Sequence, residues 1–216
     1  MPSFTRAELE SFRDAEVPDL LGTEVRLLFV GINPGLWTAA TQTHFAHPGN
    51  RFYPALHAAG FTPRQLRPDE DSTLPAYGVG ITNFVARPTR AADELSRDEL
   101  RAGARTLDAL VTKLQPRLVA VLGLGAYQTA FERREATMGR QPKTMGGRPV
   151  WVLPNPSGLN AHYKPADFAR LYAEARLEAE RMALDAGAAA AQVVGEDELA
   201  VDEVAVVDRE ERAPER

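Results

Sequence analysis

The sequence predicts an α/β protein, a three-layer α/β/α sandwich with a central, mainly parallel sheet of four to five strands. Three observations predict it. Four short apolar runs, rich in β-branched residues, recur along the chain at Val25 to Val30, Val79 to Val85, Arg117 to Gly123 and Pro149 to Leu153. Segments of helix length separate them, and one of those, like the segment after the last run, shows helical periodicity. Strands that are apolar at successive positions are buried on both faces, and parallel strands joined by helices are covered in that way. In such a sheet the functional loops sit at the carboxyl ends of the strands.

The elements follow in order. The first run ends at Gly31. Pro54 to Ala59 reads as a helix stopped by Gly60, and Phe61 to Pro75, with Pro63 and Pro68, as an irregular connection. After the second run, Ser96-Arg97-Asp98-Glu99 has the spacing of a capping box, in which the serine hydroxyl and the glutamate each satisfy a free amide of the first turn. Leu100, Ala104, Leu107, Leu110, Val111 and Leu114 then recur at helical spacing until Pro116. Ala126 to Arg134 reads as a short helix. Asp167 to Leu184, with Phe168, Leu171, Tyr172, Ala175 and Met182 on one face, reads as a long one. The domains expected are an N-terminal segment at 1–24, one main folded domain at 25–185 and an acidic, disordered tail at 186–216.

Composition narrows the chemistry. The 216 residues are 44% apolar and 25% charged, ordinary for a soluble globular protein of one domain. There is no apolar run of about 20 residues and no basic, then apolar, leader, so no membrane partner is expected and the cytoplasm, or a bacterial nucleoid, is the expected location. Zero cysteines exclude thiolate nucleophiles, disulfides and cysteine-held zinc or iron–sulfur clusters. Of four histidines, His44 and His47 are three apart, but Pro48-Gly49 follows and favours a loop, so no metal site is expected. The net charge of −5 looks wrong for a nucleic-acid binder until it is divided. Residues 186–216 hold nine acids and three arginines, a net of −6, which leaves residues 1–185 at +1. A neutral body with a locally basic face can bind DNA with few phosphate contacts.

Two loops carry the functional signal. Gly31-Ile32-Asn33-Pro34-Gly35 follows the first strand, and Pro154-Asn155-Pro156-Ser157-Gly158-Leu159-Asn160 follows the fourth, so both emerge on one edge of the sheet. The glycines let backbone approach a ligand closely, and Pro34 restricts Asn33. An asparagine amide can orient a water through its carbonyl oxygen while donating elsewhere. Either loop alone also reads as an ordinary turn. Neither dinucleotide nor P-loop fingerprint is present, and no cofactor is expected.

Together with Phe45-Ala46-His47-Pro48-Gly49-Asn50-Arg51-Phe52, Gly78-Val79-Gly80-Ile81-Thr82-Asn83 and Arg87-Pro88-Thr89, these loops give the chain its resemblance to a known family. From Val25 to Tyr172 it resembles the mismatch-specific uracil-DNA glycosylases and thymine-DNA glycosylases, a branch of the uracil-DNA glycosylase superfamily. The resemblance implies a monofunctional hydrolase of N-glycosyl bonds in base excision repair. It would flip uracil, and thymine or modified pyrimidines, from mismatched double-stranded DNA with G·U or related pairs, and would leave an abasic site. It implies that Asn33 positions the hydrolytic water and that Phe45 stacks on the extruded base, with Gly31, Ile32 and Asn83 completing the base pocket. It implies that Ser157, Gly158, Leu159 and Asn160 enter the duplex, Leu159 as the apolar wedge, and contact the widowed base.

Asp93, a few residues after Arg87-Pro88-Thr89, is a second catalytic candidate, since an aspartate activates water in other branches of the superfamily; its bland alternative is a solvated acid. Arg51 and Arg87 are candidate phosphate contacts. Phe52 and Tyr53 read as core. The chain has Asn160-Ala161-His162 where the bacterial mismatch enzymes tend to place a small hydroxyl residue and then an arginine, so strict dependence on guanine is not expected. Lys113, Lys143 and Lys164 fall outside both loops, which disfavours a Schiff-base lyase. A monomer is expected. The rival readings are a non-catalytic mismatch DNA-binding module and a nucleoside hydrolase acting on free metabolites.

Overall fold

Side chains of successive strand residues point to opposite faces, and the two faces of this sheet are covered by different helices. The computed structural model of the chain describes residues 3–185. Its strands are β1 (Leu27–Gly31), β2 (Val79–Asn83), β3 (Leu118–Leu122), β4 (Gly139–Arg140) and β5 (Val150–Leu153). Its α-helices are α1 (Arg6–Glu10), α2 (Leu36–Thr41), α3 (Phe52–Ala58), α4 (Arg97–Leu114) and α5 (Leu124–Ala130), with α6 over 165–179.

Leu27, Phe29, Val79, Ile81, Leu118, Ala120, Leu122 and Leu153 pack on Phe52, Ala55 and Leu56 of α3 and on Phe168, Leu171, Tyr172 and Ala175 of α6. The opposite face, Leu28, Val30, Val119, Val121, Val150 and Val152, packs on Leu100, Ala104, Leu107 and Val111 of α4 and on Ala126, Tyr127 and Ala130 of α5. This is the expected three-layer sandwich. Each fully buried side chain of this size contributes roughly 1.5–3 kcal/mol, so the core lies in these two layers.

The strand order is β2-β1-β3-β5-β4. The four longer strands are parallel, and β4 joins β5 antiparallel at the edge. From β1 the chain crosses to β2 on one side and then to β3 on the other. A crevice therefore opens at the carboxyl ends of β1 and β3, the switch point where ligands of such sheets bind.

The capping box forms as expected: Glu99 N donates to Ser96 Oγ at 3.1 Å and Ser96 N to Glu99 Oε2 at 2.8 Å. α4 ends at Gln115, which has φ 52°, just before Pro116. Elsewhere the boundaries move. The stretch expected to be irregular up to Pro75 winds into a 3-10 helix at Pro68–Tyr77, with Pro at its start and Glu70 Oε2 accepting from Arg67 N at 2.9 Å. α5 begins at Leu124 and stops at Ala130, short of the expected Arg134, because Glu132 takes a left-handed φ of 54°.

The chain divides into two units, Met1–Ala179 and Glu180–Arg216. In the second, residues 180–185 are described; they are helical, and Arg181 pairs with Asp185 at 2.6 Å. The tail expected at 186–216 lies outside the described residues. Among the described residues no helix is long and apolar enough to cross a membrane.

Candidate active site

The parallel register sets Gly31 of β1 beside Asn83 of β2. A Cβ at Gly31 would stand 2.4 Å from Asn83 Oδ1, so glycine is what lets the Asn83 side chain lie over the end of β1. Two residues on, Asn33 Nδ2 donates to the Arg87 carbonyl oxygen at 2.9 Å and to Thr89 Oγ1 at 2.7 Å. Thr89 Oγ1 donates to the Ala91 carbonyl at 2.8 Å, and Thr89 N donates to Pro34 O at 3.1 Å. A carbonyl only accepts, so the amide end facing Arg87 has to be the NH2. Oδ1 is left without a protein partner among the described residues. Its side chain lines a cavity of about 680 Å³.

The facing wall is built on the turn between α2 and α3. Phe45 has φ 55°, a left-handed conformation that is unfavourable for an aromatic residue and marks a position held by its surroundings. What holds it is on either side. Tyr53 Oη donates to the His44 carbonyl at 2.7 Å, and His44 N donates to Asp71 Oδ2 at 2.8 Å. The Phe45 ring stacks on Phe52, centroids 4.0 Å apart, and presents its other side as a flat apolar surface. The His44 ring lies 3.0 Å from the Pro18 carbonyl through Nε2, which therefore carries the hydrogen. Burial lowers the His44 pKa below its ordinary value; the Pro18 carbonyl, Asp71 and Asp19 oppose that shift.

The third wall is the loop after β5. Asn155 Oδ1 accepts from Ser157 N at 3.0 Å, Ser157 Oγ accepts from Leu159 N at 3.3 Å, and Asn160 Nδ2 donates to the Asn155 carbonyl at 2.9 Å. A Cβ at Gly158 would stand 2.6 Å from the Gly49 carbonyl oxygen, so the two loops touch through backbone. On this tied frame Leu159 is 90% exposed.

Gly31, Ile32, Asn33, Phe45, Asn83, Asp93, Ser157, Gly158 and Leu159, all named from the sequence, line this one cavity. The two loops meet there. Asp93 is exposed, in a 3-10 turn (Ala92–Glu94) at the rim. Asn160 stands apart from the lining, with Nδ2 on Asn155 and Oδ1 accepting from His162 N at 3.1 Å.

Both arginines expected at phosphates have partners within the protein. Arg51 donates through Nη1 to the Tyr163 carbonyl at 2.9 Å and through Nη2 to those of Ser157 and Asn160 at 2.6 and 2.7 Å, over the Phe168 ring at 4.5 Å. A fork of donors satisfying three carbonyls braces the loop from behind. Arg87 pairs with Glu99 at 2.9 Å.

Sequence reasoning gave no role to Thr89, to the buried His44 or to the wall made by α1. Thr89 lies within Arg87-Pro88-Thr89, and its hydroxyl contact to Asn33 has no local signal. Among the described residues no group of three or more acids and histidines could hold a metal.

The family model that matches the chain is that of the Uracil DNA glycosylase superfamily, over residues 18–176. Among solved structures the chain is similar to the solution NMR structure of a "putative Uracil DNA glycosylase" from Methanosarcina acetivorans, with a TM-score of 0.49 and 17% identity. That likeness covers 75% of this chain and 98% of that one.

Proposed function

The chain belongs to the uracil DNA glycosylase superfamily, and from that membership we propose that it flips uracil, and thymine or modified pyrimidines, out of mismatched duplex DNA and hydrolyses the N-glycosidic bond. The observation that carries this reading is the Asn33 amide. Its NH2 is fixed on Arg87 and Thr89, and its oxygen, without a partner among the described residues, lies in a cavity walled by an aromatic face.

In this reading the extruded base lies against Phe45 with its edge toward Asn83, and a water donates to Asn33 Oδ1. That hydrogen bond turns a water lone pair toward the anomeric carbon. The bond from C1′ to the base nitrogen breaks with oxocarbenium character, and the base leaves with the electron pair. The Asn83 amide donates to the charge that develops on the base. The water oxygen bonds C1′ and sheds a proton that an amide cannot take. Asp93, a carboxylate at the rim of the cavity, takes it. Leu159 fills the space the base vacates, which offsets part of the few kcal/mol that flipping costs, and a mismatched pair has less stacking to lose. None of the three lysines lines the cavity, in keeping with a monofunctional enzyme.

The test is a labelled duplex with one central G·U pair, incubated with the protein and then heated in alkali. Cleavage at the uracil reports an abasic product. Binding with no alkali-labile site would instead identify a non-catalytic module, and release of uracil from uridine a nucleoside hydrolase. Asp93→Asn is expected to slow single-turnover excision well beyond any loss of DNA affinity.

A further inference from the structure

Helix α1 precedes the residues matched to the family, yet Arg6, Leu9 and Glu10 line the same cavity as Asn33. Two sets of contacts seat it there. Phe4 meets Trp37 of α2 edge-on at 5.2 Å and Phe12 at 6.3 Å. Arg13 bonds Glu10 and reaches Glu94 Oε2 at 2.7 Å. Glu94 sits in the same short turn as Asp93, so the segment is fastened to both flanks of the cavity mouth.

The charges at this mouth are sorted. Arg13 is shared between Glu10 and Glu94 and offsets one of the two negative charges that would repel a polyanion. Arg6 on α1 and Arg90 before the turn are exposed, line the cavity, and have no hydrogen bond or ion pair from their side chains among the described residues. Arg51 and Arg87, by contrast, are held by carbonyls and by Glu99.

We propose that Arg6 and Arg90 clamp the phosphodiester backbone beside the extruded nucleotide, and that α1 is a DNA-contacting element. The proposal rests on the glycosylase reading only in taking duplex DNA as the ligand. Guanidinium groups without an internal acceptor are free to release counterions from phosphates, and each phosphate neutralised steepens the salt dependence of binding by about 0.9 in the log–log slope.

The experiment measures binding by fluorescence anisotropy over a potassium chloride series. The probe is a duplex holding a stable abasic analogue opposite guanine, which no excision can alter. The proteins are the wild type, Arg6→Ala, Arg90→Ala, the double variant, and Arg105→Ala, an exposed arginine of α4 away from the cavity. Each single variant is expected to lose about 0.9 of slope and to bind several-fold more weakly, and the double variant about twice the slope. Arg105→Ala should match the wild type. Melting temperatures should stay unchanged while the salt slope falls, which separates a phosphate contact from a structural role. Slopes of the two variants equal to the wild type overturn the clamp. Lost slope in a protein that fails to excise uracil leaves the clamp standing and overturns the glycosylase reading, and failure of the wild type to bind duplex overturns both.

Discussion

Arg51 holds the Leu159 loop through three carbonyls that lie more than a hundred residues away in sequence, the nearest by number being 106 positions on. Lysine keeps the charge but lacks the fork, so Arg51→Lys should lower stability by roughly 1–3 kcal/mol in urea unfolding and slow excision as the loop loosens. Equal stability would show that the carbonyls find other donors. At Gly31 a methyl group meets only the end of a side chain, Asn83 Oδ1. Gly31→Ala should therefore keep its melting temperature within a few degrees of the wild type and lose roughly tenfold in excision rate, the scale of one hydrogen bond. These cases mark what a sequence can carry. Asn33, Phe45 and Leu159 were legible because their motifs are contiguous. The fate of the Arg51 guanidinium was not, since nothing near an arginine tells which distant carbonyls need it.

The loop after β5 separates two effects that one substitution would confuse. Gly158→Ala drives a methyl group into the Gly49 backbone, which cannot swing aside, so the whole loop must shift. Leu159→Ala removes a side chain that is 90% exposed and should change stability by no more than about 0.5 kcal/mol, while reducing base flipping read by 2-aminopurine fluorescence. The turn between α2 and α3 carries a pH dependence. His44 is held neutral in the folded protein, with its pKa depressed from 6.5, whereas the unfolded chain binds the proton near that value. The unfolded state then holds more protons below about pH 6.5, so stability is full above it and falls as the pH drops. His44→Gln, which can still donate to the Pro18 carbonyl, should flatten that slope in urea midpoints measured at about pH 8 and about pH 5. The long elements of the fold were legible because apolar residues repeat along them. α1 and α2, with 5 and 6 residues, are too short to show a helical repeat, and the 2 residues of β4 carry no alternation at all.

The sheet order brings to one edge candidates from three separate stretches of sequence. The chain after β1 gives Asn33, the end of β2 and the chain beyond it give Asn83 and Asp93, and the chain after β5 gives Leu159. A net charge of −5 for the whole chain hides a mouth where Glu10 and Glu94 share Arg13 and two arginines are free of partners within the described residues. Composition could not reveal that arrangement, because it depends on which acid lies beside which arginine after folding. The proposed hydrolysis depends on a single amide, that of Asn33, at the centre of this edge. The most direct measurement is the single-turnover rate of uracil release from a G·U duplex at saturating enzyme, wild type against Asn33→Ala. Loss of the oriented water predicts a rate lower by roughly 10² or more with duplex affinity retained. Equal rates for the two proteins would contradict it.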